Sequence, residues 1–393
     1  MSERNQQRIG YFTDEDCELN EFTALIEQTT RAQDVPFAAD VQKNIPIYDV
    51  QELQNALLDT PTRREIMREW AGVLMNGAGV LALRGAYADT TVIDEVTAKF
   101  EEIIAMEKQG SGGGSDHFAA SGANDRIWNS LQKLCESGPD VFLRYFGNTA
   151  IEAVCEAWLG PNYQMTAQVN LVHPGGAAQT AHRDYHLGFQ TADISAQYPA
   201  HVHDLSPVLT LQGGIAHCDM DLASGPTKLL PFSQAYRAGY AAWRRQDFRA
   251  LFEERCVQLP LNKGDALFFN PALFHGAGAN STTDVHRMVN LLQVSSAFGR
   301  AMETIDRRKM CKLIYPFAQK ALRDGVLSEA ELNAAISSTA EGYSFPTNLD
   351  RDPPKGGLAP ETQQVFLLRA LSEGMSADDF ASQLDEMTLR QGA

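Results

Sequence analysis

From Tyr163 to Val172 the chain alternates without a break. Met165, Ala167, Val169 and Leu171 fall on one side, and Thr166, Gln168 and Asn170 on the other. Successive side chains of a strand point to opposite faces, so this stretch predicts a strand whose polar face lines a cavity. Further strands are predicted at 79–85, 208–217, 256–261, 266–269 and 287–295. Turn-forming groups separate them, notably Ser224-Gly225-Pro226, Asn262-Lys263-Gly264-Asp265 and Gly276-Ala277-Gly278-Ala279-Asn280. Helical patterning runs from Pro61 to about Glu107 around the 79–85 strand, across 140–160, and through 301–340 and 360–390. Thr60-Pro61 reads as a cap followed by a first-turn proline.

Short strands at uneven spacing, joined by long excursions, predict a mostly β core with flanking helices. Its class is a double-stranded β-helix, a cupin-like jelly roll, with helical N- and C-terminal additions. The expected divisions are an extension over 1–75, the β-helix domain over 76–300 and a helical extension over 301–393 packed on the core. The tract Gly110-Ser111-Gly112-Gly113-Gly114-Ser115 is a linker or the start of a mobile loop. His117, Phe118, Arg126 and Trp128 behind it favour a lid near 108–128 over a pocket.

Composition narrows the partners. The net charge is −17, which counts against nucleic acid and anionic membranes. No apolar stretch approaches the length of a membrane span, and the polar N-terminus has no secretory signal, so the expected location is cytoplasmic. The six cysteines are scattered without a C-x-x-C pair, so they read as reduced, mostly buried thiols rather than disulfides or a zinc site.

Candidate chemistry centres on His182-Arg183-Asp184, with His275 ninety-three residues further on and Arg287 twelve beyond that. In H-x-D the first and third side chains leave a strand end on the same side. Two histidines and a carboxylate can occupy one face of an octahedral iron and leave the rest open for a chelating cosubstrate and oxygen. Arg287 offers a cationic fork suited to a carboxylate. His201-Val202-His203 has no third ligand nearby and is expected on a solvent-facing loop.

At these residues the chain resembles the phytanoyl-CoA dioxygenase family of Fe(II)- and 2-oxoglutarate-dependent oxygenases. Three blocks carry the resemblance: His173-Pro174-Gly175-Gly176 leading to His182-Arg183-Asp184, Ser224-Gly225-Pro226 through Phe232-Ser233-Gln234, and Gly264-Asp265 through His275-Gly276 to Arg287. It covers roughly residues 75–300. The second block ends Phe-Ser-Gln where the family has Gly-Ser-His, which changes a turn and not the metal. The spacing from His275 to Arg287 is one residue longer than usual, and His286 stands beside the arginine.

The resemblance implies that His182, Asp184 and His275 bind Fe(II), and that Arg287 pairs with the far carboxylate of 2-oxoglutarate. His173 and Gln168 are second-rank cosubstrate contacts, with Thr210 and Gln212 behind them. Arg126, Trp128 and His186 are candidates for the substrate side. The implied reaction consumes O2, releases succinate and CO2, and oxidises a C–H bond of a small or medium organic metabolite. A carboxylate at Asp184 fills the position that a family halogenase leaves for chloride, which favours hydroxylation; desaturation, cyclisation and epimerisation share the same chemistry. Two other readings stay open: a cupin-like metal-dependent isomerase or hydrolase without 2-oxoglutarate, and a non-catalytic binding module. The helical tail is a candidate homodimer contact.

Overall fold

The computed structural model describes residues 10–110, 122–354 and 356–393. Its strands are β1 (Asp40–Gln42), β2 (Ile45–Asp49), β3 (Val80–Arg84), β4 (Asn124–Ile127), β5 (Gln164–Val172), β6 (Thr210–Ala216), β7 (Lys228–Leu230), β8 (Ala266–Phe269), β9 (Phe274–Gly276) and β10 (Arg287–Ser295). Eight form a mixed sheet in the order β1-β2-β3-β8-β6-β10-β5-β4, and β7 pairs with β9 in a second sheet. Single bridges widen that second sheet on both sides, His182 opposite His275 and Val257 opposite Leu229. The chain thus visits the sheets in turn: β5, then His182, then β6, then β7 and Val257, then β8, β9 and β10. That winding is the predicted double-stranded β-helix.

The described residues fall into two compact units. One takes in 10–88, 122–126 and 169–292; the other takes in 89–110, 127–168 and 293–393.

In the first unit the two sheets close over an apolar core. Ile45, Ile47, Val80, Ala82, Leu267 and Phe269 meet Leu229, Phe232 and Leu273. Each such side chain contributes roughly 1.5–3 kcal/mol on burial, so this layer sets the register of both sheets. Phe232 holds a left-handed φ of 69°, where the family motif has glycine. A side chain in that region costs roughly 1–2 kcal/mol, and its place in the core offsets the strain.

The second unit is largely helical. Helices Ser130–Ser137, Pro139–Phe146 and Thr149–Leu159 precede Arg307–Asp324, Glu329–Thr339, Gln363–Ser372 and Ala377–Gln391. Tyr315 and Phe366 stack against Phe380 at ring separations of 4.0 and 5.2 Å.

Several boundaries moved for local reasons. Asp59, not Thr60, caps helix Thr60–Met75, accepting from Thr62 N. The 140–160 stretch divides because Asn148 caps a new helix, accepting from Ala150 N and Ile151 N. The expected strand at 256–261 survives only as bridges at Val257 and Leu261, since Pro260 lacks an N–H for a ladder. Strand β5 keeps its alternation, yet Thr166 Oγ1 donates to the Gln293 carbonyl and Gln168 Nε2 lies 3.5 Å from Met302 Sδ. Those two polar groups are engaged by protein and do not face an open wall.

All six cysteines are free, four of them buried. Burial pushes the Cys17 and Cys311 thiols up to about 12, so they stay protonated and unreactive. Among the described residues no helix is long and apolar enough to cross a membrane.

Candidate active site

His182 and His275 face each other directly across the second sheet. Each backbone N–H donates to the other's carbonyl, at 3.0 and 3.1 Å. Asp184, two residues along, is pinned by its own N–H donating to Pro271 O at 3.0 Å. The sheet register therefore brings residues far apart in sequence together. One ligand atom from each of the three lies within 4.8 Å of the others, the metal-capable cluster found among the described residues.

The proton positions follow from the partners. His182 Nδ1 is 2.9 Å from Thr180 O, and His275 Nδ1 is 2.8 Å from Leu273 O. A carbonyl only accepts, so both imidazoles carry a proton on Nδ1. In a neutral ring Nε2 then presents a lone pair. The His182 Nε2 lies 3.6 Å from Asp184 Oδ1, and the His275 Nε2 lies 3.3 Å from Asp184 Oδ2. Three acceptor groups converge with no proton between them, an arrangement that a cation satisfies. Donors held about 2.1 Å from an ion at right angles sit about 3 Å apart, close to these separations. Two imidazoles and one carboxylate are a donor set that suits ferrous iron.

Burial and charge oppose each other at the metal-free site. Burial pulls the His182 imidazole below its ordinary range, opposed by the nearby Asp184, which keeps its lone pair available. Burial by itself would raise the Asp184 carboxyl. The facing His182 and His275 and the Gln212 amide reverse this and hold it well below the usual carboxylate range.

The turn carrying the triad is anchored from outside. Arg183, only 2 % exposed, points away from the ligands on either side of it. Its Nη2 donates to Ser233 O at 2.6 Å and to Tyr236 O at 2.9 Å. The guanidinium packs 5.2 Å from the ring centres of Tyr240 and Phe274. Burial pulls it down to about 10. Gly239 makes the slot, because a Cβ there would fall 1.9 Å from Arg183 Cζ. Tyr240 Oη also donates to Asp184 O at 3.2 Å. None of these supports was legible beforehand, since Arg183 read only as the spacer in H-x-D.

Arg287 begins β10, 4 % exposed. Its Nη1 donates to Ser224 O at 3.0 Å and to Gly278 O at 3.2 Å. Burial pulls the guanidinium down to about 10. Among the described residues no carboxylate lies within ion-pair distance of it. A buried cation lacking an internal counter-ion fits a site for an anionic ligand.

The other candidates are spread more widely. Thr210 is buried on β6, two residues before Gln212 and on the same face. Gln212 Nε2 donates to Asp184 Oδ2 at 2.5 Å. His173 follows β5, and both its nitrogens are engaged, Nε2 with Asp125 Oδ2 at 2.9 Å and Nδ1 with His286 Nδ1 at 2.8 Å. It is a hydrogen-bonded histidine at a strand end. Asp125 and His286 as its partners were not anticipated, though the departure at His286 was a signal. His186 follows Tyr185 in a tight turn, with φ values of 43° and 61°. Two adjacent left-handed residues just after Asp184 are strained, and burial pulls the His186 imidazole down. Gln168 lies in the other unit beside Met302.

Of the expected lid, 111–121, including His117 and Phe118, lies outside the described residues. Arg126 is buried within β4, and Trp128 follows that strand. His203 departs from the expected solvent-facing loop. It is buried in helix Ala200–Leu205, its Nε2 3.1 Å from Ser195 O and its ring against Phe12.

A double-stranded β-helix holding two histidines and a carboxylate, with a buried arginine on β10 that has no acidic partner among the described residues, defines an iron- and 2-oxoglutarate-dependent oxygenase. The chain belongs to the phytanoyl-CoA dioxygenase (PhyH) family, whose pattern it matches over residues 75–289. Ferrous iron, 2-oxoglutarate and O2 are accordingly its cofactor and cosubstrates. The Dioxygenase olcK of Penicillium canescens is 23% identical over 252 residues, 63% of this chain and 78% of that protein. Among solved structures, the epimerase SnoN in complex with Fe3+, alpha ketoglutarate and nogalamycin RO is 19% identical. It covers 61% of this chain and 85% of its own, with a TM-score of 0.42. The alpha ketoglutarate dependent carbocyclase SnoK is 18% identical over 58% of this chain and 83% of its own, with a TM-score of 0.40.

Proposed function

We propose that this chain hydroxylates a C–H bond of a small or medium organic metabolite. One O2 and one 2-oxoglutarate are consumed, and succinate, CO2 and the alcohol are formed. The observation that carries this reading is the convergence of three lone-pair donors, His182 Nε2, His275 Nε2 and the Asp184 carboxylate, with both imidazole protons committed to Thr180 and Leu273. Iron bound there would supply the redox chemistry that couples decarboxylation of the 2-oxo acid to oxidation of the substrate.

The chain's own residues hold and orient. His182 and His275 would hold the ion through Nε2, and Asp184 through its carboxylate. Arg287 pairs with the distal carboxylate of 2-oxoglutarate, which fixes the direction of the molecule. Thr210 supplies a polar wall on the β6 face. His186, held by its strained turn next to Asp184, is the best of the substrate-side candidates. An isomerase or hydrolase without 2-oxoglutarate would leave Arg287 buried with no anion, which counts against that reading.

The test is an anaerobic Fe(II) titration of the metal-stripped protein, with and without 2-oxoglutarate, following the weak visible charge-transfer band of the chelate. The band forms in the wild type and is lost in His275→Ala. Arg287→Gln raises the 2-oxoglutarate concentration for half-saturation by about 10- to 100-fold, the size of a charge-assisted hydrogen bond worth roughly 1.5–3 kcal/mol. Bound iron that gives no band with 2-oxoglutarate sinks the proposal.

A further inference from the structure

Gln212 is 5 % exposed and sits on β6 opposite Phe269 of β8, whose ring packs 4.7 Å from that of His275. Its amide orientation is not arbitrary. The Asp184 carboxylate only accepts, so the group 2.5 Å from Oδ2 is the NH2 end and the Oε1 end faces away. That Oε1 is buried and has no hydrogen-bond partner among the described residues. A buried carbonyl oxygen left without a donor destabilises the fold. As packing alone, methionine would fill the same space without that penalty. What glutamine adds is the grip on Asp184, and it adds this where the carboxylate's rotation decides how both oxygens meet the two imidazoles.

We propose that Gln212 is a positioning residue for the metal centre: its amide N–H fixes the rotation of the Asp184 carboxylate, at a cost to the metal-free fold. The inference rests on reading the triad as the metal site. It predicts that metal affinity and stability separate on substitution. In Gln212→Met, losing the charged hydrogen bond and relieving the unpaired oxygen offset each other, so the metal-free protein melts close to the wild type. Its dissociation constant for Fe(II), measured anaerobically by calorimetry, rises by about 10- to 100-fold.

Gln212→Asn supplies the readout that a merely structural role would not move. Its shorter amide keeps the polarity of the position but cannot reach Asp184 Oδ2, so its Fe(II) dissociation constant rises as in Gln212→Met. A Gln212→Met affinity within about threefold of wild type overturns the proposal, because such second contacts ordinarily count for more. So does a Gln212→Asn affinity within about threefold of wild type, and this variant decides the matter if Gln212→Met fails to fold. Wild-type protein that binds no Fe(II) removes the metal reading itself; wild type that binds alongside an equally tight Gln212→Met removes only the role given to Gln212.

Discussion

Asp184→Ala abolishes 2-oxoglutarate-dependent succinate release while the metal-free protein keeps a near-wild-type melting temperature. Removing a group that merely orients a ligand costs about 10- to 100-fold, so removing the ligand itself takes turnover below about a hundredth. The stability side follows from the same geometry. Without a cation, the Asp184 charge is opposed by burial and supported by the facing histidines and the Gln212 amide, and alanine removes the burial cost along with those contacts. Succinate assays beside thermal melts of the metal-stripped protein check both halves. Appreciable turnover in the variant would take Asp184 out of the ligand set; a collapse of the fold would make its role structural.

The second large effect is on the fold. In Gly239→Ala the new Cβ would lie 1.9 Å from Arg183 Cζ and 2.1 Å from Nη2, so the guanidinium must leave its slot. It then loses the Ser233 and Tyr236 carbonyls and its place between Tyr240 and Phe274. Displacing a buried, bonded charge costs about 3–5 kcal/mol. At roughly 2–4 °C per kcal/mol for a domain of this size, the melting temperature falls by about 6–20 °C. Fe(II) affinity falls with it, because Arg183 lies between two of the proposed ligands. A melting temperature within about 2 °C of wild type would mean the slot has room to give.

How much of this could be read from the chain depended on whether a feature was local. Strands β6, β8 and β10 were found nearly to the residue, because four to nine apolar or alternating positions between turn formers are a strong signal. Strands β7 and β9, three residues each, were too short for any period and emerged only through the motif blocks that contain them. The triad was legible because H-x-D and a distant histidine are chemically unusual. Its supports were not. Gln212, Tyr240 and Gly239 are ordinary residues whose meaning comes from packing across the sheets, and Asp125 meets His173 only after the fold closes. The polar alternation at 163–172 was real, yet what Thr166 and Gln168 face was decided by residues more than a hundred positions away.

The opposition of His182 and His275 has a consequence for the protein's life in a cell. The segment bearing His182 is the edge of the second sheet, held to the β9 strand by a few backbone hydrogen bonds. An ion shared by both imidazoles would act as a cross-strand rivet on that edge. At a free concentration about a hundred times the dissociation constant, binding confined to the folded state adds about 2.7 kcal/mol. Iron supply would then govern how long the folded chain survives proteolysis as well as how fast it turns over, and scarcity would thin the population of the enzyme before substrate ran short.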